Sequence, residues 1–171
     1  MDIIRLIIFT IVVPGFVLGY LPYVLYDAQE TFGIGILKHS GWVLIAFGVL
    51  LYIRSVLNFL IEGKGTPAIW FTKHLKKIIG EEPTKLVSSG LYTTSRNPMY
   101  LGVLMIAFGL SILLESKSVL VYSFILVVFF HLVVVFLEEP HLKKKYGEEY
   151  EFYLKKTPRW FSLKSIKKKV I

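Results

Sequence analysis

The chain has no cysteine, so disulfides, thiolate nucleophiles and zinc–sulfur sites are excluded. Charge is scarce: 19% of residues are charged, against about 25% in an average soluble domain, while 54% are hydrophobic. A surface that apolar does not suit water. The four histidines (His39, His74, His131 and His141) are too scattered for a metal motif, and no metal is expected. There is no internal repeat, and no glycine-rich loop follows a strand pattern, so a soluble dinucleotide-type domain is not indicated. No small-residue cleavage site closes the apolar run that begins at Ile3, which is therefore read as a retained first helix. The net charge of +8 raises nucleic acid as a partner. That reading fails, because the basic residues punctuate apolar runs and form no stripe on a soluble domain.

Apolar runs are what the sequence has in quantity. A membrane-spanning helix needs about 20 mostly apolar residues, and four segments meet or approach this: 3–25, 41–61, 98–114 and 118–137. The pattern predicts an all-α integral membrane protein of about four transmembrane helices. Pro14 and Pro22 should kink the first. Ser40 is placed to cap the second. Pro98 takes the favoured first position of the third, with Asn97 as its cap. Only Glu115-Ser116-Lys117 separates the last two segments, which predicts a tight antiparallel hairpin. One membrane domain, 1–171, then divides into an N-terminal helix pair (1–62), a connecting segment (63–97), the hairpin (98–137) and a C-terminal segment (138–171).

Charge sets the orientation. The connecting segment carries Lys64, Lys73, Lys76, Lys77, Lys85 and Arg96. The tail carries Lys143, Lys144, Lys145, Lys155, Lys156, Arg159, Lys164, Lys167, Lys168 and Lys169. With four crossings both regions lie on one side, and the opposite side keeps Lys38 and Lys117. The positive-inside rule makes the crowded side cytoplasmic, with both termini there. For most of these lysines, topology and attraction to anionic lipid are sufficient reason. The two polar segments are nonetheless longer than simple connections need, and they are where a small-molecule site is expected.

Three stretches carry candidate chemistry. In Ser88 to Gly102 a polar loop runs into a membrane helix, with Arg96 at the boundary. A cation beside free helix amides makes an anion site, although an arginine snorkelling to lipid phosphate is the rival reading. Glu138-Glu139-Pro140 closes the fourth apolar run. Adjacent carboxylates at a membrane edge need cations or strong donors, and Arg96 and Arg159 are the candidates. Tyr146, Tyr150 and Tyr153 recur at helical spacing, a pattern more often of packing than of ligand contact. Arg159-Trp160 can hold an anion and pack a ring together. Two polar residues lie within the apolar runs. Arg54 either snorkels or binds, and His131 either makes an interhelical hydrogen bond or serves a site.

Taken in order, Gly63-Lys64-Gly65-Thr66-Pro67, Leu86-Val87, Gly90-Leu91-Tyr92, Arg96-Asn97-Pro98-Met99-Tyr100 with Gly102, Glu138-Glu139-Pro140, Leu142, Tyr146-Gly147, Tyr150, Tyr153 and Pro158-Arg159-Trp160 resemble the isoprenylcysteine carboxyl methyltransferase family. Bacterial and archaeal relatives and phospholipid methyltransferases belong to the same wider group. The resemblance covers roughly 60–161. It implies S-adenosylmethionine as methyl donor, bound on the cytosolic face under a cap formed by the C-terminal segment. Carried over by position, Tyr92, Arg96, Asn97, Tyr100, Gly102, Glu138 and Glu139 line the cofactor pocket, His131 is counted with them, and Arg159 stands near the methyl acceptor. The expected acceptor is lipophilic, a lipid or a lipidated molecule. A carboxylate acceptor is ionised at neutral pH and needs only orientation, by Arg159 or Arg54. An amine must shed a proton, and Glu139 or His131 becomes the candidate base. This sequence departs from the family pattern at Thr94, where an aromatic is common, and at Asn97, where histidine is common. Its stretch between Pro67 and Leu86 is also longer and lacks a proline pair. Alternatives are a phospholipid N-methyltransferase, a nicotinamide-dependent membrane reductase and a non-enzymatic membrane protein.

Overall fold

In the computed structural model the described residues are 12–28, 30–63 and 83–161. The start of the first apolar run, most of the connecting segment and the final lysines lie outside them. Four helices make the body: α1 (Val12–Leu25), α2 (Gly35–Gly63), α3 (Pro98–Leu113) and α4 (Lys117–Tyr146). A short α5 (Glu148–Lys156) follows a reversal at Gly147, whose φ of 54° is a conformation that favours glycine. All regular elements among the described residues are helical, and an isolated bridge pairs Thr31 with Ser116.

Two of these helices, α2 with 29 residues and α4 with 30, are long and apolar enough to cross a membrane. At 1.5 Å per residue each extends roughly 45 Å, more than the ~30 Å of a hydrocarbon core. An upright crossing would leave one end of each in the polar zone. The outward faces suit lipid: Trp42, Phe47, Leu50 and Ile53 on α2 and Phe124, Ile125, Val128 and Phe129 on α4 are exposed. α3, with 16 residues, spans only about 24 Å.

Glycine decides how α2 meets α3. A Cβ on Gly41 would stand 2.5 Å from the Gly109 carbonyl oxygen, and one on Gly48 would stand 2.7 Å from that of Gly102. Within each helix the two glycines are seven residues apart, about two turns, and so share a face. Their order is reversed between the helices, so the pair is antiparallel with backbones in direct contact. Small residues are what allow that approach in a membrane. Tyr52, Val56, Val103, Leu104 and Ala107 continue the seam, and Tyr122, Leu126 and Phe130 bring α4 against it.

Three helices contain a π turn: Phe16–Tyr20 in α1, Phe59–Gly63 in α2 and Val134–Glu138 in α4. In α1 and α4 the reason is local. Pro22 and Pro140 crowd the carbonyls four residues back, at Leu18 and Phe136, and both carbonyls fall inside the π turn, which makes room. The consequence in α4 corrects the sequence reading. The helix does not end at Leu137 but runs on to Tyr146, so Glu138 and Glu139 sit mid-helix.

The expected tight hairpin is present, with α3 ending at Leu113 and α4 starting at Lys117. Ser116 caps α4 through Val119 N. Ser40 is not the cap of α2. It is the first α residue after a 3-10 turn (Gly35–His39), and no side chain adjacent in sequence caps that end. The cap comes from the hairpin: Glu115 Oε1 accepts the amides of Ile34 (2.6 Å) and Gly35 (2.9 Å), and Lys38 Nζ lies 3.7 Å from Oε2.

Candidate functional site

At the opposite end of the bundle, α4 brings its mid-helix carboxylates to the loop before α3. Arg159 grips Glu139 with both arms of its fork, Nε to Oε1 at 2.6 Å and Nη2 to Oε2 at 3.0 Å. Arg96 approaches the same carboxylate, Nη1 to Oε1 at 3.0 Å. That contact has ion-pair distance but not hydrogen-bond alignment, and Arg96 Nε is buried with no acceptor among the described residues. The side chain of Arg96 is 10% exposed and that of Glu139 13%. One carboxylate thus faces two guanidinium groups, and Arg96 keeps a buried donor without an acceptor among the described residues. An unsatisfied buried donor is costly, so the arrangement suits an anion. Beside it, the Tyr100 hydroxyl donates to Glu138 Oε1, and the Tyr100 ring packs on Phe130 with centroids 4.6 Å apart.

The segment that brings in Arg159 is held by its backbone. Asn97 Nδ2 and Ser95 Oγ both donate to the Arg159 carbonyl, at 2.9 and 3.3 Å, and Arg96 N donates to the Pro158 carbonyl at 2.9 Å. Asn97 stands at the N-cap position of α3, yet its side chain makes no cap bond. The expected cap is in fact a clamp on the C-terminal segment. Ser95 is buried, 3% exposed. Only its place beside Arg96 signals it.

The tyrosine face is mainly packing, and the Tyr150 phenol also meets Arg96. Tyr150 and Tyr153 are buried with Leu86, Val87 and Tyr92 in a second core, distinct from the helix seam. The Tyr153 hydroxyl donates to the Tyr92 carbonyl (2.7 Å) and that of Tyr146 to the Pro83 carbonyl (2.7 Å). Burial, the largest cause in each case, pushes the phenols of Tyr92 and Tyr153 up and that of Tyr150 to about 12. The fork onto Glu139 raises the already high value of Arg159. A further tie joins this core to α2. Asn58 Nδ2 donates to the Ser89 carbonyl (3.0 Å), and Glu62 Oε2 accepts from Ser89 Oγ (2.6 Å). Gly90 is required there, with φ +57° and only 2.2 Å from an ideal Cβ to Asn58 Nδ2.

Of the residues expected to form the site, the structure brings together Arg96, Asn97, Tyr100, Glu138, Glu139 and Arg159. Gly102 instead faces Gly48 and Tyr52 of α2, so helix packing accounts for it. Tyr92 is buried in the second core, with its phenol close enough to Glu138 and Tyr100 to interact with both. Arg54 is exposed on α2 and has no hydrogen bond or ion pair among the described residues, as snorkelling predicts. His131 is exposed on α4 and accepts from Trp160. Glu139 uses both oxygens on arginine, which leaves it poorly placed to be an idle base.

A family model described as phospholipid methyltransferase matches residues 37–149, well over half of the chain. This chain belongs to the phospholipid methyltransferase family. Two relatives carry a more specific name. Protein-S-isoprenylcysteine O-methyltransferase of Schizosaccharomyces pombe is 32% identical over 122 residues, 67% of this chain and 51% of the relative. Protein-S-isoprenylcysteine O-methyltransferase B of Arabidopsis thaliana is 30% identical over 138 residues, 78% of this chain and 66% of the relative. The chain therefore spans between about half and two thirds of the length of these relatives. No solved structure matches significantly. The phospholipid methyltransferase match ends at 149, so Arg159 and Trp160 reach the cluster from beyond it.

Proposed function

We propose that the protein is a membrane methyltransferase that uses S-adenosylmethionine and methylates a lipophilic acceptor, with an isoprenylcysteine-type carboxylate as the first candidate. In this reading α1 to α4 all cross or enter the bilayer, and the Arg96–Glu139–Arg159 end faces the cytoplasm. The observation that carries it is the buried guanidinium of Arg96, with a donor still unspent beside its shared carboxylate. The names of the relatives support the reaction class, and the lysine distribution supports the orientation.

The residues present fit the cofactor. When bound, S-adenosylmethionine supplies a methyl group on a sulfonium. Arg96 would hold the amino-acid carboxylate of the cofactor, and Glu138, held by Tyr100, would meet an ammonium or hydroxyl. Glu139 fixes the plane of Arg159 through the fork and faces Arg96 as a counter-charge. Arg159, 33% exposed, keeps Nη1 for the carboxylate of an acceptor and orients it. An acceptor already ionised needs no base, so alignment and exclusion of water are the protein's contribution. The clamp of Ser95 and Asn97 on the Arg159 carbonyl sets that alignment.

A second reading, N-methylation of a phospholipid amine, is favoured by the family description alone. Incubation with isotopically labelled methyl donor, a lipid extract and short prenylated thioether acids separates them. Label on the thioether acid as a base-labile ester supports the first reading, and label on a phospholipid headgroup supports the second. Label on neither removes both.

A further inference from the structure

His131 lies on the outward face of α4, where its neighbours one turn away, Val127, Val128 and Val135, are apolar. An imidazole facing acyl chains asks for a reason. Its Nδ1 is 3.1 Å from Trp160 Nε1, and the rings are stacked with centroids 6.2 Å apart. An indole N–H can only donate. Nδ1 is therefore the acceptor, and the ring hydrogen sits on Nε2. Among the described residues Nε2 has no acceptor, so a hydrogen-bond donor faces the hydrocarbon, where leaving it unpaired is costly.

Position narrows the partner. Trp160 follows Arg159 directly, while His131 precedes Glu139 by eight residues, roughly 12 Å along the helix. Consecutive residues of the C-terminal segment thus engage α4 at two depths, Arg159 at the polar end and Trp160 on the membrane side. We propose that His131, fixed in one tautomer by Trp160, presents Nε2–H to a carbonyl oxygen of a lipophilic molecule lying along α4. That contact registers the molecule against the Arg159 end. Its part in catalysis rests on the methyltransferase reading, but the donor itself does not. The carbonyl belongs either to the methyl acceptor or to an ester lipid of the bilayer.

Two arms test this with the full chain in nanodiscs. In the kinetic arm, His131→Phe raises the KM for an N-acylated prenylcysteine about tenfold, the worth of one hydrogen bond of about 1.4 kcal/mol. Both kcat and the KM for the methyl donor stay within about twofold. His131→Gln, which keeps a donor at the Nε2 position, recovers most of the loss. In the binding arm Trp160 is made the only tryptophan by Trp42→Phe and Trp70→Phe. Its emission shifts when the acceptor is added, which assigns the carbonyl to the substrate, or when ester phospholipid is exchanged for ether phospholipid, which assigns it to the bilayer. Either shift disappears with His131→Phe. An unchanged acceptor KM together with no His131-dependent shift in either case overturns the proposal. If the wild type transfers no methyl group to any acceptor, the methyltransferase reading falls, and the emission arm still decides for or against the donor.

Discussion

Each end of the bundle is tied by one carboxylate from α4 or the turn before it, and the two ties are differently satisfied. Glu115 accepts two backbone amides and faces Lys38. Its charge is matched by one cation and a helix N-terminus, so that end is closed and complete. Glu139 faces two arginines, one of them buried with a donor unspent. Helix joining needs nothing beyond the first arrangement. Folding does not require the unspent donor at the second, and on the proposed reading it is the feature that a ligand anion would satisfy.

The largest expected effect tests this unspent donor. Arg96→Ala or Glu139→Ala lowers affinity for S-adenosylmethionine by about 100-fold or more, the usual cost of breaking a desolvated charge pair of 2–5 kcal/mol. Helix content stays as in the wild type, because the glycine seam of α2 and α3 is untouched. Calorimetric titration measures the affinity and circular dichroism the fold. Wild-type affinity in both variants would mean that Arg96 and Glu139 form a structural tie like the one at Glu115.

Much of this was legible from the sequence because apolar runs and charge clusters are local signals. The hairpin at Glu115 to Lys117, the pairing of Glu139 with Arg96 and Arg159, and the packing role of the tyrosines all follow from spacing and charge. What spacing could not reveal is which partner each polar group chooses when several are in reach. Asn97 has the ordinary position and chemistry of a cap and is drawn instead to the Arg159 carbonyl, 62 residues away. Ser40 loses its expected role to Glu115, a carboxylate from the α3–α4 hairpin. Pro140 looked like a helix end because a π turn, the device that accommodates it, has no residue signature of its own. Gly102 sat among site motifs, but the seven-residue match with Gly109, and with Gly41 and Gly48 on α2, points to packing.

The closed end gives the second prediction. Glu115→Ala removes the acceptor of two amides at the start of α2 and costs about 1 kcal/mol, the typical loss of a helix cap. Water reaches Gly35, which is exposed, so the cost stays at that level. Affinity for S-adenosylmethionine is unchanged. Thermal unfolding alongside titration separates the two ends, and a loss of affinity in Glu115→Ala would erase the distinction between them.

The smallest effect concerns the second core, which abuts only the site end. Burial holds the phenols of Tyr92, Tyr150 and Tyr153 in their neutral form, with Tyr150 raised to about 12. A folded value above the unfolded value of about 10 means stability that is fully present below pH 10 and is lost as pH rises toward 12. The cap should therefore loosen over that window, while the turn at Glu115 to Lys117 carries no phenol. Limited proteolysis between pH 9 and 12 should cut near α5 first and leave the hairpin at Glu115 intact. Simultaneous cleavage at both ends would show that cap and seam unfold as one unit.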